Sequence, residues 1–229
     1  MPSVENHLIK LLPRNDRQRL MAACSAIELA VGEVLYQQGT ATRHAYFPVD
    51  GFISLVTQVD ERPGLEVCMV GREGMLGLHL ALGVAKSPLH ALVQGEGRAW
   101  RLTAVEFRRE LKRGAALRRI LDLYIQISMS QLAASAACVR FHQIGPRLAR
   151  WLLMSHDRAH ADSFHATQEL LAHLLGVRRV GITLAAGCLQ RDGLIEYSRG
   201  IVKVLDRRGL EAAACACYAA DTFSYARLL

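Results

Sequence analysis

Two adjacent arginines, Arg178 and Arg179, have the chemistry that is easiest to interpret in this sequence. They open an apolar pattern typical of a helix, where the positive end of the helix dipole disfavours each cation by roughly a few tenths of a kcal/mol. A DNA partner would compensate, because the first turn of a recognition helix points into the major groove, where arginine pairs with guanine or phosphate. The pair therefore predicts contact with nucleic acid; solvated arginines on an ordinary helix are the alternative.

The residues around this pair predict a helix-turn-helix. Thr167 suits the N-cap of a first helix whose leucines share one face, and Gly176 suits the turn that ends it. In the second helix Val177, Ile182 and Ala185 are expected to pack against the first. The positions expected to face outward are Arg178, Arg179, Gly181, Thr183 and Leu184.

A β-hairpin, or wing, is predicted at residues 193–205. β-Branched and apolar residues stand on both sides of Ser198, Arg199 and Gly200, which suit a tight turn. Arg199 and Lys203 are placed to reach phosphates beside the groove, although a basic residue in a hairpin is more often merely solvated.

Composition limits the class of protein. The chain has 229 residues, of which 51% are hydrophobic, and a net charge of +7, which suits a polyanionic partner. The charge is spread, however: from Arg140 onward there are 12 Lys and Arg against 8 Asp and Glu. No run of 18 apolar residues predicts a membrane span, and residues 1–10 lack a signal-peptide pattern. We expect a cytoplasmic protein without a membrane partner.

Groups able to bind a metal or catalyse a reaction are scattered. The six cysteines show no disulfide or zinc-finger spacing, and the close pair Cys215 and Cys217 is interpreted as packing, with metal or redox chemistry as the alternative. No Ser/His/Asp or paired-carboxylate arrangement is recognisable. We predict no metal, no cofactor and no enzymatic activity. One local cluster of metal-ligand types, interpreted as solvated, contains His156, Asp157, His160, Asp162 and His165.

The first 114 residues predict two short helices followed by an antiparallel β domain. Between residues 27 and 102 short apolar runs alternate with glycines, which is typical of a sandwich or jelly roll. Helix resumes at Thr103, which forms a capping box with Glu106. Later, Pro146 suits the start of another helix. The residues expected in the β core include Tyr46, Phe47, Phe52, Ile53 and Leu55.

A long helix is predicted over residues 115–140. It is apolar on more than one face and therefore needs cover on two sides. We expect one face against the β domain and the other against the same helix of a second subunit; burial within a monomer is the alternative. The predicted dimerisation residues are Leu117, Leu121, Tyr124, Ser128 and Ser135.

This order of elements resembles the bacterial Crp/Fnr family of transcription regulators. The most specific stretch is LLAHLLGVRRVGITLAAGCLQRDGLIEYSRGIVKVLDRRGLEA, supported by HAYFPVDGFISLV and VGREGMLG. The resemblance implies an α+β fold: N-terminal helices with a cyclic-nucleotide-binding-like β-roll (1–114), a dimerisation helix (115–140) and a winged helix-turn-helix (141–229). It implies a homodimer on a roughly palindromic double-stranded DNA site with half-sites about 34 Å apart. RNA polymerase and an unknown small-molecule effector are the further expected partners.

Residue by residue, the resemblance assigns DNA contacts but departs from the usual pattern. Arg179 matches the family's base-contacting arginine, and Thr167 and Gln168 match positions that meet the DNA backbone. The glutamate that usually follows is Val180, and the second base-reading arginine is Leu184. The usual half-site sequence is therefore not expected.

The sensor departs further. Nucleotide-binding members carry a Gly-Glu pair and an Arg-Ser pair that hold ribose and cyclic phosphate, whereas here Leu78 follows Gly77 and residues 87–91 read SPLHA. Without those groups, tight binding of cyclic AMP is not expected. His90 and Arg98 are the groups that could serve another anion.

We therefore predict a sequence-specific DNA-binding transcription regulator acting as a homodimer. The alternative keeps the fold but makes the protein a small-molecule sensor or a protein-interaction adaptor without specific DNA binding. An enzyme is a third possibility, which the lack of a His-x-His ligand pair in the β region opposes.

Overall fold

The computed structural model describes residues 5–58, 64–159 and 161–228. His160, one of the candidate metal ligands, lies outside the described residues, as do residues 1–4. Two short helices, α1 (His7–Lys10) and α2 (Arg14–Ala22), come first, as predicted. The Asn6 side chain caps α1 and donates hydrogen bonds to the carbonyls of Pro48 (2.9 Å) and Gly74 (2.7 Å). These bonds attach α1 to the β domain.

Seven antiparallel strands form a β-roll of two sheets, which confirms the predicted jelly-roll architecture. One sheet has the order β1-β7-β3 and the other β2-β6-β4-β5. Phe47, Phe52 and Ile53 are fully buried, as expected, whereas Leu55 is only half-buried. The strands are β1 (Ser25–Leu29), β2 (Val34–Tyr36), β3 (His44–Pro48), β4 (Phe52–Thr57), β5 (Leu65–Val70), β6 (His90–Gly95) and β7 (Gly97–Thr103).

Helix α3 (Ala104–Arg113) and the long helix α4 (Ala115–Phe141) follow the β-roll. The predicted capping box is present: Thr103 Oγ1 accepts a hydrogen bond from Glu106 N, and the Glu106 carboxylate accepts one from Thr103 N. Helix α4 has 27 residues, and its bounds agree within one residue with the predicted dimerisation helix.

The two apolar faces of α4 are not distributed as predicted. Leu117, Leu121 and Tyr124 are almost completely buried within their own chain, in a cluster with Met75, Leu80 and Phe107. They cannot be the outward dimer contacts, because the first half of α4 packs on α3 and the β-roll. The two serines proposed with them, Ser128 and Ser135, are half-buried. The exposed apolar residues lie further along the helix and include Met129, Leu132 and Val139.

Helix α5 (Ile144–Ala159) connects the β-roll to the C-terminal elements. Every residue from Arg147 to Met154 is buried, so this helix is covered on all faces. Its cluster joins Phe52, Val56 and Met69 of the β-roll to Leu171, Ile182 and Val202 of the C-terminal region. The predicted domain boundary near residue 141 therefore falls between two helices, but the hydrophobic core is continuous across it.

The C-terminal region contains a winged helix-turn-helix, which confirms the predicted fold. Its three-stranded antiparallel sheet has the order β8-β10-β9, and sequence reasoning missed the strand β8. The final helix, α9, packs back against α4. The elements are β8 (Ser163–His165), α6 (Gln168–Leu175), α7 (Arg179–Arg191), β9 (Ile195–Ser198), β10 (Ile201–Val204), α8 (Arg207–Ala213) and α9 (Cys217–Leu228).

Two buried ion pairs fix α5 to its neighbours. The Arg158 guanidinium lies 2.9 Å from the carboxylate of Glu73, which follows β5. Arg150 lies 2.6 Å from the carboxylate of Asp221 on α9. Removing one partner of such a pair leaves an uncompensated charge, so both pairs constrain where α5 lies.

Over the residues that the structure describes, no single helix is long and apolar enough to span a membrane; only α6 and α7 taken together meet the length and composition test.

Candidate nucleic-acid interface

Helices α6 and α7 meet at 110°, within the range of helix-turn-helix units. Thr167 caps α6, since its Oγ1 accepts a hydrogen bond from Leu170 N at 3.1 Å. Gly176 ends α6 in the left-handed region at φ 64°. Only glycine adopts this conformation without a steric cost. Both sequence predictions are confirmed.

The inward face of the motif is largely as expected. Leu171 and Ile182 are completely buried, and Ala172 is also buried where the helices cross. Ala186 is the buried alanine of α7, whereas Ala185 is half-buried. Val177 and Ala185 are partly buried and pack against the same cluster, so the predicted inward face extends to Ala186.

The outward face begins with the two arginines. Arg178 is the N-cap of α7 and Arg179 its first residue; both are exposed. Arg178 cannot cap as a serine or aspartate does, because its side chain is a donor and accepts no hydrogen bond from the helix. Arg178 therefore does not stabilise the start of α7 through a cap hydrogen bond. Its positive charge is suited to an anion outside the protein.

Further along α7, the exposed side chains are mixed. Val180 is 62% exposed and Leu184 is 68% exposed. Thr183 is exposed, and its Oγ1 lies 2.7 Å from the Gln168 Oε1 on α6. Val180 and Leu184 were not predicted as contacts, although their outward positions were a signal that could have found them: apolar side chains in the major groove contact the thymine methyl group.

Gly181 does not face outward as predicted. A Cβ at this position would lie 2.7 Å from Ile144 Cδ1, so the glycine allows α7 to approach the start of α5. The residue is half-buried. Its role in the structure is close packing of the recognition helix.

The wing has the predicted turn. Arg199 and Gly200 have φ values of 52° and 78°, which make a two-residue hairpin turn of the kind that matches strand twist. Arg199 is exposed at the tip. The Tyr197 hydroxyl donates a hydrogen bond to the Ala166 carbonyl, which holds the wing beside the start of α6.

The charges of this surface contrast with those around α5. In the described ranges, Arg178, Arg179 and Arg199 form no ion pair, whereas Arg150 and Arg158 each face a carboxylate. Unpaired guanidiniums on an exposed helix end and hairpin tip remain available for phosphate or base edges.

Two members of the local cluster of possible metal ligands near the end of α5 contact Arg207. Asp157 lies 2.7 Å from the Arg207 guanidinium, and His156 Nδ1 lies 2.8 Å from Arg207 Nη1. Another set of ligand types meets instead at the end of α4, where it includes the pair Cys215 and Cys217. Sequence reasoning missed this set because its members lie far apart in the chain.

A cavity of about 230 Å³ lies between the β-roll and α4. Gly77, Leu78, Ser87 and Pro88 line it, so the two segments that differ from the nucleotide-binding pattern both border this cavity. Its lining residues, as far as the structure describes them, include no Lys, Arg, Asp or Glu. Arg98 is not among them and pairs with the Asp50 carboxylate at 2.9 Å.

Comparisons with known proteins agree with this geometry. Residues 146–213 match the family of Crp-like helix-turn-helix domains. The chain has the Crp/Fnr fold and carries the family's DNA-binding domain. This match agrees with the resemblance to the Crp/Fnr family that the sequence predicts. No curated protein sequence shows significant similarity to it.

Solved Crp/Fnr structures cover most of the chain at low sequence identity. FixK2 from Bradyrhizobium japonicum is 13% identical, with a TM-score of 0.70, over 84% of this chain and 98% of its own. The c-di-GMP-responsive global regulator CLP from Xanthomonas campestris is 15% identical, with a TM-score of 0.68, over 84% of this chain and 99% of its own. TTHA1359, a CRP/FNR-family regulator from Thermus thermophilus, is 20% identical, with a TM-score of 0.64, over 83% of this chain and 98% of its own. The likeness establishes the fold.

Replacing Gly176 or Gly187 by alanine should have opposite effects on stability. Gly176→Ala should lower the free energy of unfolding by about 1 to 2 kcal/mol, because φ is positive and the new Cβ would lie 2.9 Å from Leu65 Cδ1. Gly187→Ala should raise it by about 0.5 to 1 kcal/mol, since an added Cβ at this helical position would meet no described atom within 4 Å beyond its own stretch of the helix. Urea unfolding of both variants checks this. Equal effects would contradict the assigned turn.

Proposed function

We propose that the protein is a homodimeric regulator that reads a specific DNA sequence with the first turn of α7. The observation that carries the proposal is the exposed arginine pair at the N-terminal end of that helix, which forms no ion pair with any residue that the structure describes. We further propose that residues 1–114 act as the sensor, residues 115–140 as the dimerisation helix and residues 141–229 as the DNA-binding region, with RNA polymerase as a further partner.

In this proposal the DNA contacts divide by chemistry. Arg179 pairs with a guanine, while Arg178 and Arg199 meet phosphates. Thr167 and Gln168 lie at the start of α6 and contact the DNA backbone. The Gln168 side chain is hydrogen-bonded to the Thr183 hydroxyl of α7. Val180 and Leu184 replace polar readers with apolar side chains, which favours thymine at the matching positions. Gly181 contributes by letting α7 pack against α5.

Replacing Arg179 tests the reading of DNA. Arg179→Ala should weaken binding to the cognate duplex by about 1 to 3 kcal/mol and relax the preference at one base position, because a bidentate pair with guanine is lost. Fluorescence anisotropy with the duplex and its single-base variants measures both effects. Arg208→Ala is the matched control, since Arg208 is an exposed arginine of the same region on α8 and should change neither. Unchanged affinity and specificity of Arg179→Ala would favour the adaptor alternative.

The dimer contact that we propose is the apolar stripe of α4. Its members recur at spacings of four and three residues, the period of a coiled-coil seam. Met129 is 60% exposed, Leu132 is 40% exposed and Val139 is 42% exposed, so the stripe is free to meet a second copy. The face toward the β-roll is already covered, which leaves this stripe for the partner. The stripe consists of Ile125, Met129, Leu132, Ala136 and Val139.

A charge in the stripe should separate the subunits. Leu132→Glu places like charges opposite each other in the proposed seam, so the protein should shift from dimer to monomer at micromolar concentration. Light scattering after size-exclusion chromatography measures the mass. Val105→Glu is the control, because Val105 is 70% exposed on α3, away from the stripe. A monomeric parent protein, or a Leu132→Glu dimer as stable as the parent, would contradict the assigned interface.

We also propose that the β-roll cavity takes an uncharged, largely apolar effector instead of cyclic AMP. The cavity offers Tyr36, His79 and Ser87 as polar groups but no cation for a cyclic phosphate. Ile125, Met129 and Leu132 of the stripe also border it. An effector in this cavity would therefore touch the proposed dimer contact, which provides a route from ligand to DNA-binding geometry.

Calorimetry tests the sensor proposal. Cyclic AMP should show no saturable binding at micromolar concentration, because a buried phosphate would lack a charged partner. An apolar fluorescent dye should bind, and Ser128→Trp should reduce that binding, since Ser128 lines the cavity. Saturable micromolar binding of cyclic AMP would overturn the proposal.

A further inference from the structure

Four metal-ligating side chains meet where α4 ends. Cys138 lies in the last turn of α4, His142 is the C-cap of that helix, and Cys215 and Cys217 lie at the junction of α8 and α9. Their ligand atoms all lie within 4.8 Å of one another. Cys138 and Cys215 are buried, and His142 and Cys217 are half-buried. The site brings together residues 77 positions apart in the chain.

Two separations within the cluster are close to those around a single tetrahedral metal ion. The Sγ atoms of Cys138 and Cys215 are 3.6 Å apart, and the Cys217 Sγ lies 3.6 Å from the His142 Nδ1. Zinc bonds of about 2.3 Å to sulfur and about 2.0 Å to nitrogen, at tetrahedral angles, separate two sulfurs by about 3.8 Å and sulfur from nitrogen by about 3.6 Å. A disulfide needs about 2.05 Å between its sulfurs. An iron-sulfur cluster places several atoms between its ligands and needs wider separations.

We propose that Cys138, His142, Cys215 and Cys217 bind one structural zinc ion. Three thiolates and one imidazole are a closed donor set for this ion and leave no position open for substrate or water. Sulfur and nitrogen ligands in this geometry favour zinc over magnesium or calcium, which prefer oxygen. The proposal is independent of the DNA-binding function.

The surroundings of the three thiols act on their protonation in opposite directions. Without a metal, the hydrogen bond with Cys215 and burial raise the pKa of Cys138 to about 12, so a bound ion has to displace the proton. The Arg150 guanidinium acts in the opposite direction and lowers the pKa of all three thiols. Arg150 is 9% exposed, and its Nε has no hydrogen-bond partner among the described residues. A buried cation beside the ligands offsets part of the negative charge of a metal-thiolate site.

A metal at this position would connect three parts of the fold. It would join the end of α4 to the segment between α8 and α9, whose Cys215 N already donates to the Pro146 carbonyl at 3.3 Å. Pro146 lies in the first turn of α5. The ion would therefore hold α9 against α4 and fix the passage from the long helix to the DNA-binding region.

Metal analysis of the full-length protein tests the proposal. The untagged protein, purified under reducing conditions from zinc-supplemented cells, should contain about one zinc per chain by plasma mass spectrometry. Cobalt substitution should give the visible absorption of tetrahedral cobalt with thiolate ligands, and X-ray absorption should show sulfur at about 2.3 Å with one nitrogen at about 2.0 Å. These measurements need no variant. Metal-free protein with six reactive thiols after unfolding, or a Cys138–Cys215 disulfide, would overturn the proposal.

Cysteine variants assign the ligands. Cys217→Ser should reduce the bound zinc at least tenfold after dialysis against a weak chelator, whereas Cys24→Ser should keep about one zinc per chain. Cys24 is a half-buried thiol that directly precedes β1 and is not part of the cluster. Zinc content that is the same in Cys217→Ser and Cys24→Ser would place the ion elsewhere and contradict the assignment. DNA affinity of the zinc-loaded parent is measured separately, so failure here leaves the Arg179 test intact.

Discussion

The burial of α5 on every face is the constraint on which the arrangement of this chain depends. A helix that is buried on every face has to be covered by several elements at once, and here the β-roll covers part of it while α7, α8 and α9 cover the rest. Trp151 and Leu152 lie in the resulting core together with Phe52 and Ile182. The β-roll and the helix-turn-helix therefore share one core.

Charge strengthens the same junction. The pairs Arg158–Glu73 and Arg150–Asp221 attach α5 to the β-roll and to α9, respectively, and both are largely removed from water. Glu66 on β5 adds a titrating group nearby, since burial raises the pKa of its carboxyl to about 7. A raised carboxyl pKa means that the folded state holds the proton more tightly, so its contribution to stability is lost as the pH rises from about 4.5 to about 7. The junction is thus sensitive to charge as well as to packing.

The sequence predicted best where local pattern and local structure coincide. Thr167, Gly176 and the turn at Arg199 follow from capping and turn rules that act within a few residues, and all three predictions agree with the structure. Helix α4 shows the limit: both of its faces are apolar, so periodicity could not tell that Leu121 packs on the β-roll and Leu132 faces outward. Gly181 was assigned to the DNA face because its contact with Ile144 is tertiary. The cluster around Cys138 could not be predicted from spacing, because the fold of α9 back onto α4 creates it.

In the proposed function, the exposed end of α7 reads a specific, two-fold-symmetric DNA site without cyclic AMP. Selection of bound duplexes from a random pool at near-physiological salt, with and without the nucleotide, tests this reading. We expect enrichment of the same symmetric site in both arms, with half-sites about one helical turn, or about 34 Å, apart. Enrichment only with cyclic AMP, or no enrichment in either arm, would contradict it.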